Sequence, residues 1–192
     1  LMALTHVWLI GEYSKYDFKI KKTDTVIDVG ANIGLFSLYV SQNCTEGKIY
    51  AFEPINENYK ILESNIELNN ISNIKAENCA ISESTSKITL YLSNDESGHS
   101  RFIQTDNPVE VTSKSLNDFF KENKLKICNL LKLDCEGSEY EIINSLEEKD
   151  FEIIEKMIIE YHLADSNPEL LKNLKNKLKI HSYEISIEPL FK

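Results

Sequence analysis

The chain has 192 residues, of which 42% are apolar and 27% charged, enough for one domain with a full hydrophobic core and too few for two. Its 31 acidic and 21 basic residues leave a net charge of −10, which argues against a surface that coats nucleic acid. Arg101 is the single arginine, so bidentate phosphate clamps are nearly excluded.

The segment from Leu1 to His6 lacks the basic and apolar regions of a signal peptide. No run approaches the roughly 18 apolar residues of a membrane helix. Cys44, Cys79, Cys128 and Cys135 form no C-x-x-C pair, which removes zinc-ribbon and thioredoxin-type readings. A reducing cytoplasm is the expected compartment.

Val26-Ile27-Asp28-Val29 reads as a buried strand that stops at Gly30. Leu35 to Val40 then repeats at helical spacing, and Gly47 breaks that helix. Lys48 to Phe52 is the next strand, stopped by Pro54. Tyr59, Leu62, Ile66 and Asn69 mark one face of a second helix. Ile74 to Ala76 is a weak third strand. From Ser86 to Ser93, Ile88, Leu90 and Leu92 alternate with Thr89 and Tyr91, the pattern of a half-buried antiparallel strand.

Asn94 to Pro108 is polar and reads as a loop, and Val109 to Thr112 is a candidate partner strand. Ser115 can cap a short helix carrying Leu116, Phe119 and Phe120. Ile127 to Leu133 is an apolar strand ending in Asp134. Ser138 to Leu146 is helical. Met157 to Ile159 is a strand ending in Glu160-Tyr161-His162. Pro168 opens a helix that runs to about Lys177, and Ser182 to Ile187 is expected as a closing strand.

Strand–helix alternation with continuous apolar strands predicts an α/β, doubly wound, mostly parallel sheet with helices on both faces. Ligands bind such sheets beyond the carboxyl ends of the strands. The residues at those ends are Asp28-Gly30-Asn32-Gly34, Glu53-Pro54, Asn78-Ala80, Asp134-Glu136-Gly137 and Glu160-His162. All are polar, glycine or small.

Gly30 permits a tight turn and Gly34 a close approach of the following helix. The turn is neither G-x-G-x-x-G nor a P-loop, and the acid at Asp28 would repel a pyrophosphate. Glu53 lies about 20 residues beyond, where an acid can hydrogen-bond both hydroxyls of an adenosine ribose. A cofactor with a ribose, an ammonium and a sulfonium but no phosphate, S-adenosyl-L-methionine, fits this pattern better than NAD.

The runs TDTVIDVGANIGLFSLYVSQ, GKIYAFEPINENYKILESNIELNN, NCAIS and LLKLDCEGSEYEII resemble the FkbM family of S-adenosylmethionine-dependent methyltransferases. The order D-x-G-A-N-x-G, F-E-P and K-x-D-x-E-G-x-E carries the resemblance, which extends from about Gly11 to His162. It implies a Rossmann-like class I methyltransferase fold, with a seven-stranded sheet whose last strand is reversed. It also implies O-methyl transfer, often to a sugar or polyketide hydroxyl. Gly30, Ala31, Asn32 and Gly34 would line the methionine part of the cofactor, and Asp28 would reach its ammonium directly or through water. Glu53, followed by Pro54, would hold the ribose. Asn78, Cys79 and Ala80 would flank the adenine, and Asp134 would face the reacting end. The chain is read as one methyltransferase domain, with residues 1–22 a lid or cap segment and residues 23–192 the catalytic core; Tyr13 and Tyr16 are either part of that lid or plain surface or core aromatics. The final pair of strands is expected to be incomplete.

An alcohol must lose a proton as it attacks the methyl group. The candidates to take it are Asp134, Glu136, Glu139, Glu160 and His162, with His162 preferred because an ordinary imidazole titrates near neutral pH, the equal alternative being a strand-end histidine bonded to backbone. Asp134 and Glu136 would share a face if their strand continued, and Glu160 and His162 have the same spacing. Together they could bind a divalent cation such as Mg2+, although carboxylates placed there serve equally to bind acceptor hydroxyls, and no metal is assigned. Cys135 lies between two carboxylates, which disfavours a thiolate nucleophile. Ser97 to Arg101 matches the position of an acceptor-side loop or is a plain hairpin tip. The expected partner is a small-molecule or sugar hydroxyl, with no nucleic acid. The alternatives are a methyltransferase acting on RNA and an inactive nucleotide-binding module. The acceptor and the oligomeric state are not legible.

Overall fold

A computed structural model describes residues 19–93 and 99–187. The elements follow in order: β1 (Thr25–Val29), α1 (Leu35–Ser41), β2 (Lys48–Phe52), α2 (Asn56–Leu68), β3 (Ile74–Glu77), β4 (Ala80–Ser82), β5 (Ser86–Leu92), β6 (His99–Ser100) and β7 (Pro108–Ser115). Then come α3 (Leu116–Glu122), β8 (Leu130–Leu133), α4 (Glu139–Ser145), α5 (Glu148–Ile153), β9 (Met157–Ile159) and α6 (Pro168–Ile180).

A five-stranded parallel sheet runs in the order β3-β2-β1-β8-β9. The chain winds one way from β1 to β3 and the other way through β8 and β9. The reversal falls between β1 and β8, and the carboxyl ends of all these strands share one edge. The strands are apolar on both faces because both are covered. Val26, Ile49 and Leu130 pack with Phe36 and Val40 of α1, whereas Ile27, Phe52, Leu131 and Leu133 pack with Phe119, Ile142 and Leu174 of the opposite helices.

A second sheet of order β4-β7-β5-β6 follows β3. β5 pairs antiparallel with β7, and Ile88, Leu90 and Val111 are buried on its inner face, as the alternation predicts. Ser115 caps α3, its hydroxyl accepting from Asp118 N at 3.1 Å.

The fold class is the expected doubly wound one. The main sheet holds five strands among the described residues, two fewer than the seven the resemblance implies, in keeping with the expectation of an incomplete final pair. Ser182 to Ile187, expected as a strand, pairs with none of them. Its alternation has another cause: Tyr183 and Ile185 pack on the core, and the Tyr183 hydroxyl donates to Ile154 O at 2.5 Å. The segment read as a loop after β5 contains the short strand β6, and α5 was not foreseen. The first 18 residues, with Tyr13 and Tyr16, and Ser97 and Gly98 lie outside the described residues. No helix among those described is long and apolar enough to cross a membrane.

Candidate active site

The glycine turn after β1 is built by backbone geometry. Gly30 has φ +75° and Gly34 φ +88°, both in the region L side chains avoid. A Cβ on Gly30 would lie 1.8 Å from Asp134 O, so the turn and the end of β8 touch backbone to backbone. Gly30 and Ala31 each donate their N–H to Phe52 O, tying the turn to β2.

Glu53 completes that tie. It is only 4% exposed, and its two carboxylate oxygens accept separately from Asn32 N at 2.8 Å and Ile55 N at 2.9 Å. Burial raises its pKa, the N–H donors of Ile55 and Asn32 and the Asn58 side chain pull it down, and the nearby Asp28 charge pushes it up again; the net direction is upward. With Asn32 N, Ile55 N and Asn58 as partners, the carboxylate retains capacity for one further donor such as a ligand hydroxyl. Asn78 donates to the carbonyls of Glu53 and Pro54 at 2.9 and 3.1 Å, joining the β3 end to the same corner, and Cys79 and Ala80 are buried directly after it.

Asp28 is fully buried on the α1 face of the sheet. Ser37 donates to its Oδ2 at 2.7 Å, and Oδ1 lies 3.4 Å from Lys132 Nζ but has no hydrogen-bond partner. Lys132 is 3% exposed and donates to Asp134 Oδ2 at 3.1 Å. Its ammonium also sits 5.6 Å from the centre of the Phe36 ring. Sequence reasoning passed over this lysine, whose one signal is a charge inside the apolar run Leu130-Leu131-Lys132-Leu133.

On the far side of Asp134 the chain turns through Glu136 and Gly137, both at positive φ. Strand pairing ends at Leu133, so Asp134 and Glu136 are not brought together by strand alternation. The turn does it instead. Glu139, fully buried, accepts from Cys135 N and Gly137 N, each at 2.9 Å, and its Oε1 lies 3.0 Å from His162 Nδ1. The other ring nitrogen, Nε2, is 3.6 Å from Glu136 and 3.8 Å from Glu160. Tyr140 donates to His162 O at 2.5 Å and fixes the backbone there.

His162 therefore starts from a state unlike that of a free imidazole. Burial alone would lower its pKa, but the Glu139 hydrogen bond and charge, with the charges of Glu136 and Asp134, outweigh it and carry the value to about 9. The ring is an imidazolium at neutral pH. Desolvation and the charges of Glu139 and Asp134 raise the Cys135 thiol well above its usual value, so it is no ready nucleophile. Asp134, Glu160 and His162 each bring one ligand atom within 4.8 Å of the others, a set able to reach a common cation. Glu139, wholly buried, acts as the anchor of the turn and the histidine.

A profile of the Methyltransferase FkbM domain matches residues 28–185. The chain is 27% identical over 185 residues to Methyltransferase 1 of Beauveria bassiana, spanning 85% of this chain and 73% of that protein. It is 30% identical over 168 residues to Methyltransferase sdnD of Sordaria araneosa, spanning 70% of this chain and 65% of the relative. Among solved structures, a Methyltransferase FkbM from Methylobacillus flagellatus KT superposes with a TM-score of 0.62 at 17% identity, covering 88% of this chain and 40% of that one. This chain thus spans less than half the length of that solved protein, and the likeness carries the fold alone.

Proposed function

The chain belongs to the FkbM methyltransferase family, and we propose that it moves a methyl group from S-adenosyl-L-methionine to a hydroxyl of a small molecule or sugar. The observation that carries this reading is the joint at the reversal point of the sheet. There Glu53 grips the glycine turn through Asn32 N while Gly30 rests on Asp134 O. Such a joint sets the glycine turn between the carboxylate-bearing ends of β2 and β8, and the single arginine, Arg101, is engaged with Glu141. That donor set fits a ligand with a ribose, an ammonium and a sulfonium.

When bound, the donor supplies an already activated methyl group, so the protein chiefly orients the reactants. Gly30, Ala31, Asn32 and Gly34 cradle the methionine part. Asp28, buried beneath them with its Oδ1 lacking a hydrogen-bond partner, reaches the ammonium directly or through water. Glu53 takes the ribose hydroxyls with Pro54 beside it, and Asn78, Cys79 and Ala80 flank the adenine. Asp134 stands at the reacting end. Glu136, Glu160 and His162 bind the acceptor hydroxyl, and the neutral imidazole of His162 takes its proton.

The test is direct. S-adenosylhomocysteine should raise the melting temperature while NAD should not, and labelled methyl should pass to a member of a panel of sugars and small hydroxylated acceptors. Stabilisation by NAD alone would overturn the reading.

A further inference from the structure

Lys132 is a lysine in the middle of a sheet whose neighbouring strand residues are all buried. A buried ammonium is costly unless paired. It is paired twice: with Asp28 across the strand pair, where the register sets Asp28 opposite Lys132, and with Asp134 two residues along its own strand direction. The register puts Asp28 and Lys132 on the face that carries Phe36, and Asp134 follows just past the end of β8 within reach of the same ammonium. The three differ sharply in exposure. The Asp28 and Lys132 side chains are 0% and 4% exposed, whereas that of Asp134 is 28% exposed. The ammonium is thus buried, and it donates to Oδ2 of the partly exposed Asp134 carboxylate.

We propose that Lys132 is a positioning residue of the methyl-transfer centre: anchored on Asp28, it holds the Asp134 carboxylate at the cleft rim, oriented toward the sulfonium of the donor. This rests on the methyl-donor reading above. A carboxylate so held attracts a sulfonium and is indifferent to the neutral thioether left after transfer, so Lys132 acts on the difference between donor and spent donor.

The experiment needs no acceptor. Calorimetry on the full chain measures Kd for S-adenosylmethionine and for S-adenosylhomocysteine separately. Lys132→Met should weaken the donor roughly tenfold or more, the worth of one charge-assisted contact, and leave the spent donor within about twofold. Lys132→Arg should restore most of the loss. Asp134→Asn should give the same selective loss, and the double variant should be no worse than either single one, as expected for residues acting as one unit. Should Lys132→Met not fold, the pair Asp28→Asn with Lys132→Met removes both buried charges and should show the same selectivity. Equal weakening of both ligands would reduce Lys132 to a structural role, and unchanged or tighter donor binding would likewise overturn the proposal. Wild-type protein that binds neither ligand removes the donor reading itself, and this proposal with it.

Discussion

Glu139 Oε1 lies 3.0 Å from His162 Nδ1, and Glu139 is wholly buried while accepting two backbone N–H groups of its own turn. The carboxylate cannot swing away from the ring without leaving those donors orphaned. The histidine is therefore oriented with Nε2 toward Glu136 and Glu160 before any ligand arrives.

The pair makes stability depend on pH with a definite sign. The His162 pKa is raised from 6.5 to about 9 in the folded chain. Its contribution is complete below pH 6.5 and is lost as pH rises through 9. An NMR titration should place the ring's midpoint near 9, and Glu139→Gln should move it down. The urea midpoint of the wild type, relative to His162→Gln, should fall across the same interval. A ring that titrates at its ordinary value would end this account.

Gly30→Ala tests the backbone joint. Its φ of +75° is disfavoured for alanine by about 1–2 kcal/mol, and the added Cβ would stand 1.8 Å from Asp134 O. The overlap can be relieved only by parting β1 from the β8 end. Denaturant titration should show a loss of more than about 2 kcal/mol, together with loss of S-adenosylhomocysteine stabilisation. Wild-type stability and binding in this variant would mean that the turn does not need the glycine.

The acids at the strand ends were legible because a parallel strand buried on both faces has to turn polar where it leaves the sheet. Glu53, Asp134 and Glu160 all stand at such exits, so their common edge follows from strand direction alone, whereas Asp28 lies one residue inside β1. The long-range pairings were not legible. Lys132 meets Asp28 only after two strands distant in sequence come into register, and local sequence makes a lysine there look like a flaw in an apolar run. Asp28 appeared as a group for a ligand's ammonium, but burial gives it an internal ammonium as well. His162 kept its place and changed its charge, because the three acids that raise its pKa arrive by way of a turn that breaks the strand periodicity. The extended segment at Tyr183 and Ile185 shows that alternation reports burial on one side, which a strand partner need not share.

Glu53→Gln probes the other end of the cleft. The amide replaces one acceptor with an N–H2 group that must face either Asn32 N or Ile55 N, both donors. One buried donor pair is then unsatisfied, at a cost of about 1–3 kcal/mol. S-adenosylhomocysteine affinity should fall roughly tenfold or more. Unchanged affinity would move the ribose site away from this carboxylate.

The role of His162 as proton acceptor can be separated from its role in binding. In the imidazolium form the ring has no lone pair to offer, so the competent species is the neutral one. With a pKa of about 9, kcat/KM for methyl transfer should climb as pH rises from neutrality and level off above 9. His162→Ala should lower kcat by roughly a hundredfold, the common scale for a lost general base, with donor affinity intact. Glu139→Gln should shift the climb to lower pH, in step with the NMR midpoint, because it removes the charge that holds the proton. A profile flat between neutrality and pH 9 in the wild type would transfer the proton to Asp134 or Glu136, whose carboxylates face the same ring.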